Sequence, residues 1–191
     1  MLRTFDILLS LIGLIVLSPL LILLAVWVKV DSKGPVFYIQ KRIGKRGLEF
    51  GLFKFRSMRL NADKFGLLTI GGNDSRITKS GYFLRKYKLD ELPQLINVLF
   101  GKMSLVGPRP EVLKYVALYT DEQMKVLNVR PGITDMASIK YKFESDMLAK
   151  SADPEELYIE YIMPDKIRLN MDFIENPGII KYFTIILKTI F

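Results

Sequence analysis

The run ILLSLIGLIVLSPLLILLAVWVKV, from Ile7 to Val30, is 24 residues long and carries a single charge, Lys29. A straight helix of that length would reach about 36 Å, more than the roughly 30 Å of a bilayer's hydrocarbon core. The run is too long for an ordinary signal-peptide core, and no small-x-small cleavage site follows it. Ser18-Pro19 sits at its midpoint. Pro19 has no N–H and its ring crowds the Ile15 carbonyl, so a helix must kink or break there. The Ser18 hydroxyl can satisfy a backbone carbonyl freed by the break. Arg3 precedes the run, and Lys29 and Lys33 close it. Basic residues at both ends pull both ends towards the cytoplasm. Two topologies meet these facts. One is a kinked spanning helix. The other is a re-entrant helix that turns at Ser18-Pro19 and leaves on the side it entered. In the second, each arm of about 12 residues spans about 18 Å and reaches a little past the bilayer centre.

The rest of the composition narrows the chemistry. At 191 residues the chain is long enough for one domain with a real core. Half of it is hydrophobic and its formal net charge is +8. A nucleic-acid binder shares the charge but rarely the apolar excess, so no nucleic-acid partner is expected. A membrane-surface protein that handles anionic headgroups or phosphates shows both. There is no Cys, which excludes a disulfide framework and thiolate metal sites. There is no His, which excludes the Ser-His-Asp triad, His-rich zinc sites and the commonest general base. Catalysis would have to rest on carboxylates, Lys, Arg, hydroxyls and an oxygen-liking metal.

About ten residues after the apolar run comes a basic segment. Lys41, Arg42, Lys45, Arg46, Lys54, Arg56 and Arg59 stand against Glu49 alone. Phe53-Lys54-Phe55-Arg56 reads as a short strand, and the chain around Gly44 to Gly47 reads as a hairpin. Such a segment can be a solvated face, a base-stacking surface, or an anion-handling surface beside a membrane. Its position after the apolar run favours the last, with Lys54 and Arg56 as candidate phosphate contacts.

Residues 81 to 111 are the most informative. Leu92, Leu95, Ile96 and Leu99 fall at helical spacing, and Pro93 is tolerable only in a first turn, so a helix is expected to start near Asp90. Asp90 and Glu91 then sit at a helix N-terminus, where negative charge is favoured. A lone acidic pair there is ordinary capping. This pair stands among Arg85, Lys86 and Lys88, and near Pro108-Arg109-Pro110, a turn whose two prolines can aim the guanidinium between them. The chemistry that suits these residues is phosphoryl transfer. A carboxylate is ionised at neutral pH and can attack phosphorus without a general base. The neighbouring carboxylate can hold Mg²⁺, and arginines can neutralise the transferred group.

Leu89 to Val98 (LDELPQLINV) and Met103 to Pro110 (MSLVGPRP) closely resemble the bacterial sugar transferase family, the monotopic polyprenyl-phosphate phosphoglycosyl transferases. Gly34 to Tyr38, Gln40 to Gly44, Phe53 to Met58, Arg76 to Thr78, Phe83 to Arg85 and Arg130 to Thr134 match in the same order, up to about residue 145. The resemblance implies a re-entrant membrane helix broken at Ser18-Pro19. It implies a ping-pong reaction in which Asp90 attacks a nucleotide-sugar's β-phosphate and releases a nucleoside monophosphate, usually UMP. Polyprenyl phosphate then takes the phosphosugar from the enzyme. By motif, Asp90 is the nucleophile and Glu91 the Mg²⁺ ligand. Arg85, Arg109 and Arg130 are phosphate-binding candidates and Lys54 is a weaker one. The family implies residence in the bacterial cytoplasmic membrane with the catalytic domain on the cytoplasmic face. Two departures stand out. Many members have Gly-Trp where this chain has Asp135-Met136, and Lys88 replaces a small polar residue before Leu89. The chain resembles the form of the family without an additional multi-helix membrane domain.

Asp153-Pro154-Glu155-Glu156 reads as the N-cap and first turn of a helix, and Asn176-Pro177 as the start of another. The last helix carries Ile179, Ile180, Phe183, Ile186, Leu187, Ile190 and Phe191 at helical spacing. It can pack on the domain or lie in the membrane interface, and the resemblance favours the interface. The expected fold is α+β and mostly helical, with a small sheet over about residues 36 to 58. Residues 1–30 form the membrane helix, and 31–191 the catalytic domain with an amphipathic helix over 177–191.

Overall fold

In the computed structural model, which describes residues 2–62 and 74–190, the apolar run forms two helices, α1 (Leu2–Val16) and α2 (Ser18–Asp31), bent by 63°. Pro19 cannot donate to Ile15, and the Ser18 hydroxyl donates to that carbonyl at 2.7 Å. At 1.5 Å per residue the arms are about 22 and 21 Å long, the ends lie about 37 Å apart, and the break stands about 11 Å off the line joining them. This is shallower than the 18 Å reach expected of two arms folded back on each other, because the bend is oblique. Among the described residues no single helix is long and apolar enough to cross a membrane; by length and composition only the bent pair meets the test.

Both ends of the pair are anchored on the same body. Arg3 donates to the carbonyls of Val98 (2.7 Å) and Leu99 (3.1 Å), which close helix α4 (Gln94–Leu99). Asp6 is 3% exposed. It accepts from the Ser104 hydroxyl (2.9 Å), the Leu105 N–H (2.9 Å) and the Tyr182 hydroxyl (2.8 Å). At the other end Asp31 accepts from the Ser80 N–H (2.9 Å) and hydroxyl (2.8 Å). Arg56 donates to the Ser32 (2.7 Å) and Lys33 (2.8 Å) carbonyls just past α2. The guanidinium offered by the sequence as a phosphate contact is buried and donates to the chain at the end of α2.

Strands β1 (Phe37–Ile43) and β2 (Glu49–Phe55) pair antiparallel as the expected hairpin. Its turn bends through Arg46 (φ 60°) and Gly47 (φ 73°). Phe50 and Leu52 pack with Val98 and Met103, while Phe55 packs with Leu24, Val28 and Leu84. A second pair lies outside the expected sheet: β3 (Ser104–Val106) runs parallel to β4 (Gly132–Thr134). Gly107 and Gly132 touch backbone to backbone there. A Cβ on Gly132 would stand 2.1 Å from the Gly107 nitrogen, so only glycine fits.

Between the strands and after them come α3 (Lys79–Lys86), the short turns α5 (Leu113–Val116) and α6 (Asp121–Met124), then α7 (Met136–Lys140) and α8 (Glu144–Ala149). Next come α9 (Pro154–Leu157), α10 (Met163–Glu175) and α11 (Ile179–Ile190). Asp153 caps α9 by accepting from the Glu155 (3.0 Å) and Glu156 (2.9 Å) N–H groups, with Pro154 in the first position. Val112, Tyr115, Tyr158, Ile162 and Ile167 form a core among these helices. The most buried residues of α11 are Tyr182 and Ile185, packed on Val106, with Phe183 and Ile186, two of the residues singled out by spacing, partly buried against the same cluster. Its outer face, with Ile180 84% exposed and Leu187 exposed, is not covered by any of the described residues. The helix thus packs on the domain along one side and exposes apolar side chains on the other. Phe191 lies outside the described residues.

Candidate active site

Helix α3 is capped by Thr78, whose hydroxyl accepts from the Gly81 N–H at 3.0 Å. Gly81 itself lies against the Ser57 carbonyl, where a Cβ would clash at 1.9 Å. The helix ends at Lys86, and two residues on Lys88 is a non-glycine residue in the left-handed region (φ 54°). That kink sends the chain into a single 3₁₀ turn, Leu89–Glu91, and Pro93 then caps α4. The expected helix start near Asp90 is therefore a 3₁₀ turn, with α-helix from Gln94. Asn97 fastens α4 to β2: its side chain accepts from the Phe53 N–H (2.9 Å) and donates to the Gly51 carbonyl (2.7 Å). This clip brings the next residue of the strand, Lys54, opposite Glu91. Asn97 was not among the candidates; its only sequence signal is a polar residue within an apolar helical stripe.

Glu91 is held by two cations. The Lys54 ammonium donates to it at 3.1 Å. Arg109 makes a two-pronged contact, one nitrogen at 3.0 Å and the other closer still. Burial alone would push the Glu91 carboxyl up, but Arg109 and Lys54 outweigh it and hold the group well below the usual carboxylate range. Asp90 behaves oppositely. It is 6% exposed, and burial together with the Glu91 charge raises its pKa. Lys54, Arg85 and Arg109 pull the other way without cancelling the rise. Among the described residues the Asp90 carboxylate receives no hydrogen bond. Two adjacent carboxylates thus stand in different surroundings, Glu91 gripped by two cations with its pKa lowered, Asp90 buried with its pKa raised.

The turn carrying Arg109 is fixed by its backbone. The Gly132 N–H donates to the Pro108 carbonyl (2.9 Å), and Arg42 donates to the Pro110 carbonyl (3.0 Å) and the Glu111 carboxylate (3.1 Å). The Arg109 N–H donates to Asp135 (3.0 Å). Of the seven sequence candidates, Lys54, Asp90, Glu91 and Arg109 come together. Arg85, on α3, lies within electrostatic reach of Asp90. Arg56 is at the end of α2, and the exposed Arg130 donates to the Gly101 carbonyl (2.9 Å) rather than to the dyad.

The model of the family described as bacterial sugar transferase matches residues 1–191. The chain belongs to the bacterial sugar transferase family. Three relatives show its range. A UDP-glucose:undecaprenyl-phosphate glucose-1-phosphate transferase of Klebsiella pneumoniae is 41% identical over 176 residues, 90% of this chain and 38% of the relative. A UDP-N-acetylgalactosamine-undecaprenyl-phosphate N-acetylgalactosaminephosphotransferase of Aeromonas hydrophila is 40% identical over 162 residues, 83% of this chain and 37% of the relative. The exopolysaccharide production protein PSS of Rhizobium leguminosarum bv. phaseoli is 43% identical over 145 residues, 72% of each chain. The chain spans little more than a third of the length of the first two relatives. Those two bacterial sugar transferases are named for different sugars, glucose and N-acetylgalactosamine.

Proposed function

We propose that this chain moves a sugar 1-phosphate from a UDP-sugar to a polyprenyl phosphate, giving a polyprenyl-diphosphate sugar and UMP. The single observation that carries this reading is the split dyad, with an unclasped buried Asp90 beside a Glu91 held by Lys54 and Arg109. In the first step an Asp90 oxygen forms a bond to the β-phosphorus. The bond from that phosphorus to the bridging oxygen breaks, and its electron pair leaves with UMP. In the second step an oxygen of the lipid phosphate attacks the same phosphorus and the Asp90 carboxylate departs. Lys54 and Arg109 offset charge on the phosphoryl oxygens, and Arg85 adds to the same field.

Asp90 and Glu91 are oxygen donors of the kind Mg²⁺ takes. Among the described residues no group of three or more acidic side chains converges, so substrate phosphate and water would complete the shell. Glu91 is the residue that would hold the ion, and when bound the ion would neutralise diphosphate charge.

We read residues 1–30 as a re-entrant membrane element and 31–191 as a catalytic domain on the cytoplasmic face of a bacterial inner membrane. The support is the double anchoring: Arg3 and Asp6 at one end, and Asp31 and Arg56 near the other, hold a bent apolar pair to one body. A spanning helix would carry its ends to opposite faces. An apex about 11 Å deep stays within one leaflet of about 15 Å. The exposed face of α11 would lie in the same interface.

A screen of UDP-sugars against the chain in vesicles containing polyprenyl phosphate, read as nucleoside monophosphate release, tests the reaction. UMP released by one sugar and lost in Asp90→Asn supports it. Release of UDP instead would make the chain a transferase of sugar without its phosphate.

A further inference from the structure

We propose that Asp135 is a positioning residue for Arg109, the acceptor that fixes the orientation of the Pro108-Arg109-Pro110 turn towards the dyad. This rests on the reading of Arg109 as a phosphate-binding group. Proline has no N–H, so the Arg109 N–H is the one backbone donor in the turn. Both prolines restrict their own φ, but the φ and ψ of Arg109 decide where its side chain points. Asp135 accepts that N–H at 3.0 Å. The neighbouring carbonyls are taken from other sides, Pro108 by the Gly132 N–H and Pro110 by Arg42.

Asp135 is itself rigidly held. It is 2% exposed. The oxygen facing Arg109 also accepts from the Asn170 amide of α10 at 2.8 Å. The other oxygen accepts from the Ser138 N–H and so caps α7. Three neutral donors thus hold the two Asp135 oxygens in place, and Asp135 favours the charged Arg109 guanidinium electrostatically.

Capping α7 is the merely structural role, and Asp135→Asn separates the two. Asn caps a helix about as well as Asp, so the Ser138 contact survives. Its amide nitrogen then faces two donors, and the Arg109 N–H loses its acceptor. The test is a double-mutant cycle of Asp135→Asn and Arg109→Ala, read as affinity for inorganic pyrophosphate with Mg²⁺, on the full chain in detergent micelles. Hydrogen exchange across residues 107–111 is measured alongside. We expect Asp135→Asn to weaken pyrophosphate about 10-fold, and Arg109→Ala to weaken it at least as much. The double variant should be no weaker than Arg109→Ala alone within about 2-fold, as for residues acting as one unit. Exchange should quicken at the Arg109 amide while the α7 amides stay protected. A full Asp135→Asn effect persisting in the Arg109→Ala background, an unchanged affinity, or no pyrophosphate binding by the wild type would overturn the proposal. Wild-type UMP release is scored separately. If every UDP-sugar fails there while the coupling holds, the proposed reaction falls and the positioning role stands.

Discussion

Arg109 grips both oxygens of the Glu91 carboxylate, and Asp90, the residue before Glu91, has no such partner among the described residues. In the proposed reaction this contact leaves Asp90, of the two neighbouring acids, free to attack. Lys54 completes the arrangement by holding Glu91 from the strand side.

The pH dependence follows from this division. In the proposed reaction Asp90 must be ionised to attack, and its pKa is raised by burial and then by Glu91. The acid limb of UMP release should therefore lie above the ordinary aspartate value of about 4. Glu91→Gln removes one of the two causes and should move that limb to lower pH as it lowers the rate. A pH–rate profile with the limb unmoved in Glu91→Gln would contradict the coupling.

Stability should respond with opposite signs at the two acids. The depressed pKa of Glu91 gives a contribution present above its unfolded value of about 4.3 and lost as pH falls through the folded value. The raised pKa of Asp90 means that ionising it in the folded chain costs stability at neutral pH. Asp90→Asn should abolish transfer while melting at or above the wild-type temperature at pH 7. Thermal unfolding checks this, and a large drop in melting temperature would show that Asp90 is structural.

Lys54 and Arg56 should part company. Arg56→Met removes the donor from the Ser32 and Lys33 carbonyls and should cost about 2–3 kcal/mol. Lys54→Met leaves Glu91 in the hands of Arg109 and should cost about 1 kcal/mol, while slowing UMP release at least about 10-fold. Denaturant unfolding beside initial rates separates the two. Equal losses of stability would remove the distinction.

Asp6 is the buried hinge of the N-terminal anchor, and Asp6→Ala leaves three donors unsatisfied. A loss of about 3 kcal/mol is expected, with Tyr182→Phe near 1 kcal/mol. The chain has no native Cys, so Thr4→Cys and Lys33→Cys are each single labelling sites. Both should react from the same, cytoplasmic side of sealed vesicles; labelling from opposite sides would make α1 and α2 a spanning helix.

The parts legible in the sequence were those with local causes. Pro19 fixes a missing donor four residues from Ile15, and Ser18 is close enough to replace it. The hairpin and the α9 cap are equally local. What escaped depends on partners far along the chain. Nothing near Asp6 announces Ser104 or Tyr182, and Arg56 looks like Lys54 until the end of α2 is seen to lie over it. The β3–β4 pair is three residues per strand and parallel, too short for a periodicity to register. Tyr182 and Ile185 share the same apolar arc as their neighbours, and only the packing on Val106 chooses which side of α11 is core.

The most direct measurement is the mass of the intact chain after mixing with a UDP-sugar in the absence of lipid acceptor. It should gain one phosphosugar, located on the peptide containing Asp90, with one UMP released per chain and no gain in Asp90→Asn. UMP release that requires the lipid, with the chain unmodified, or an adduct on another residue, would contradict attack by Asp90.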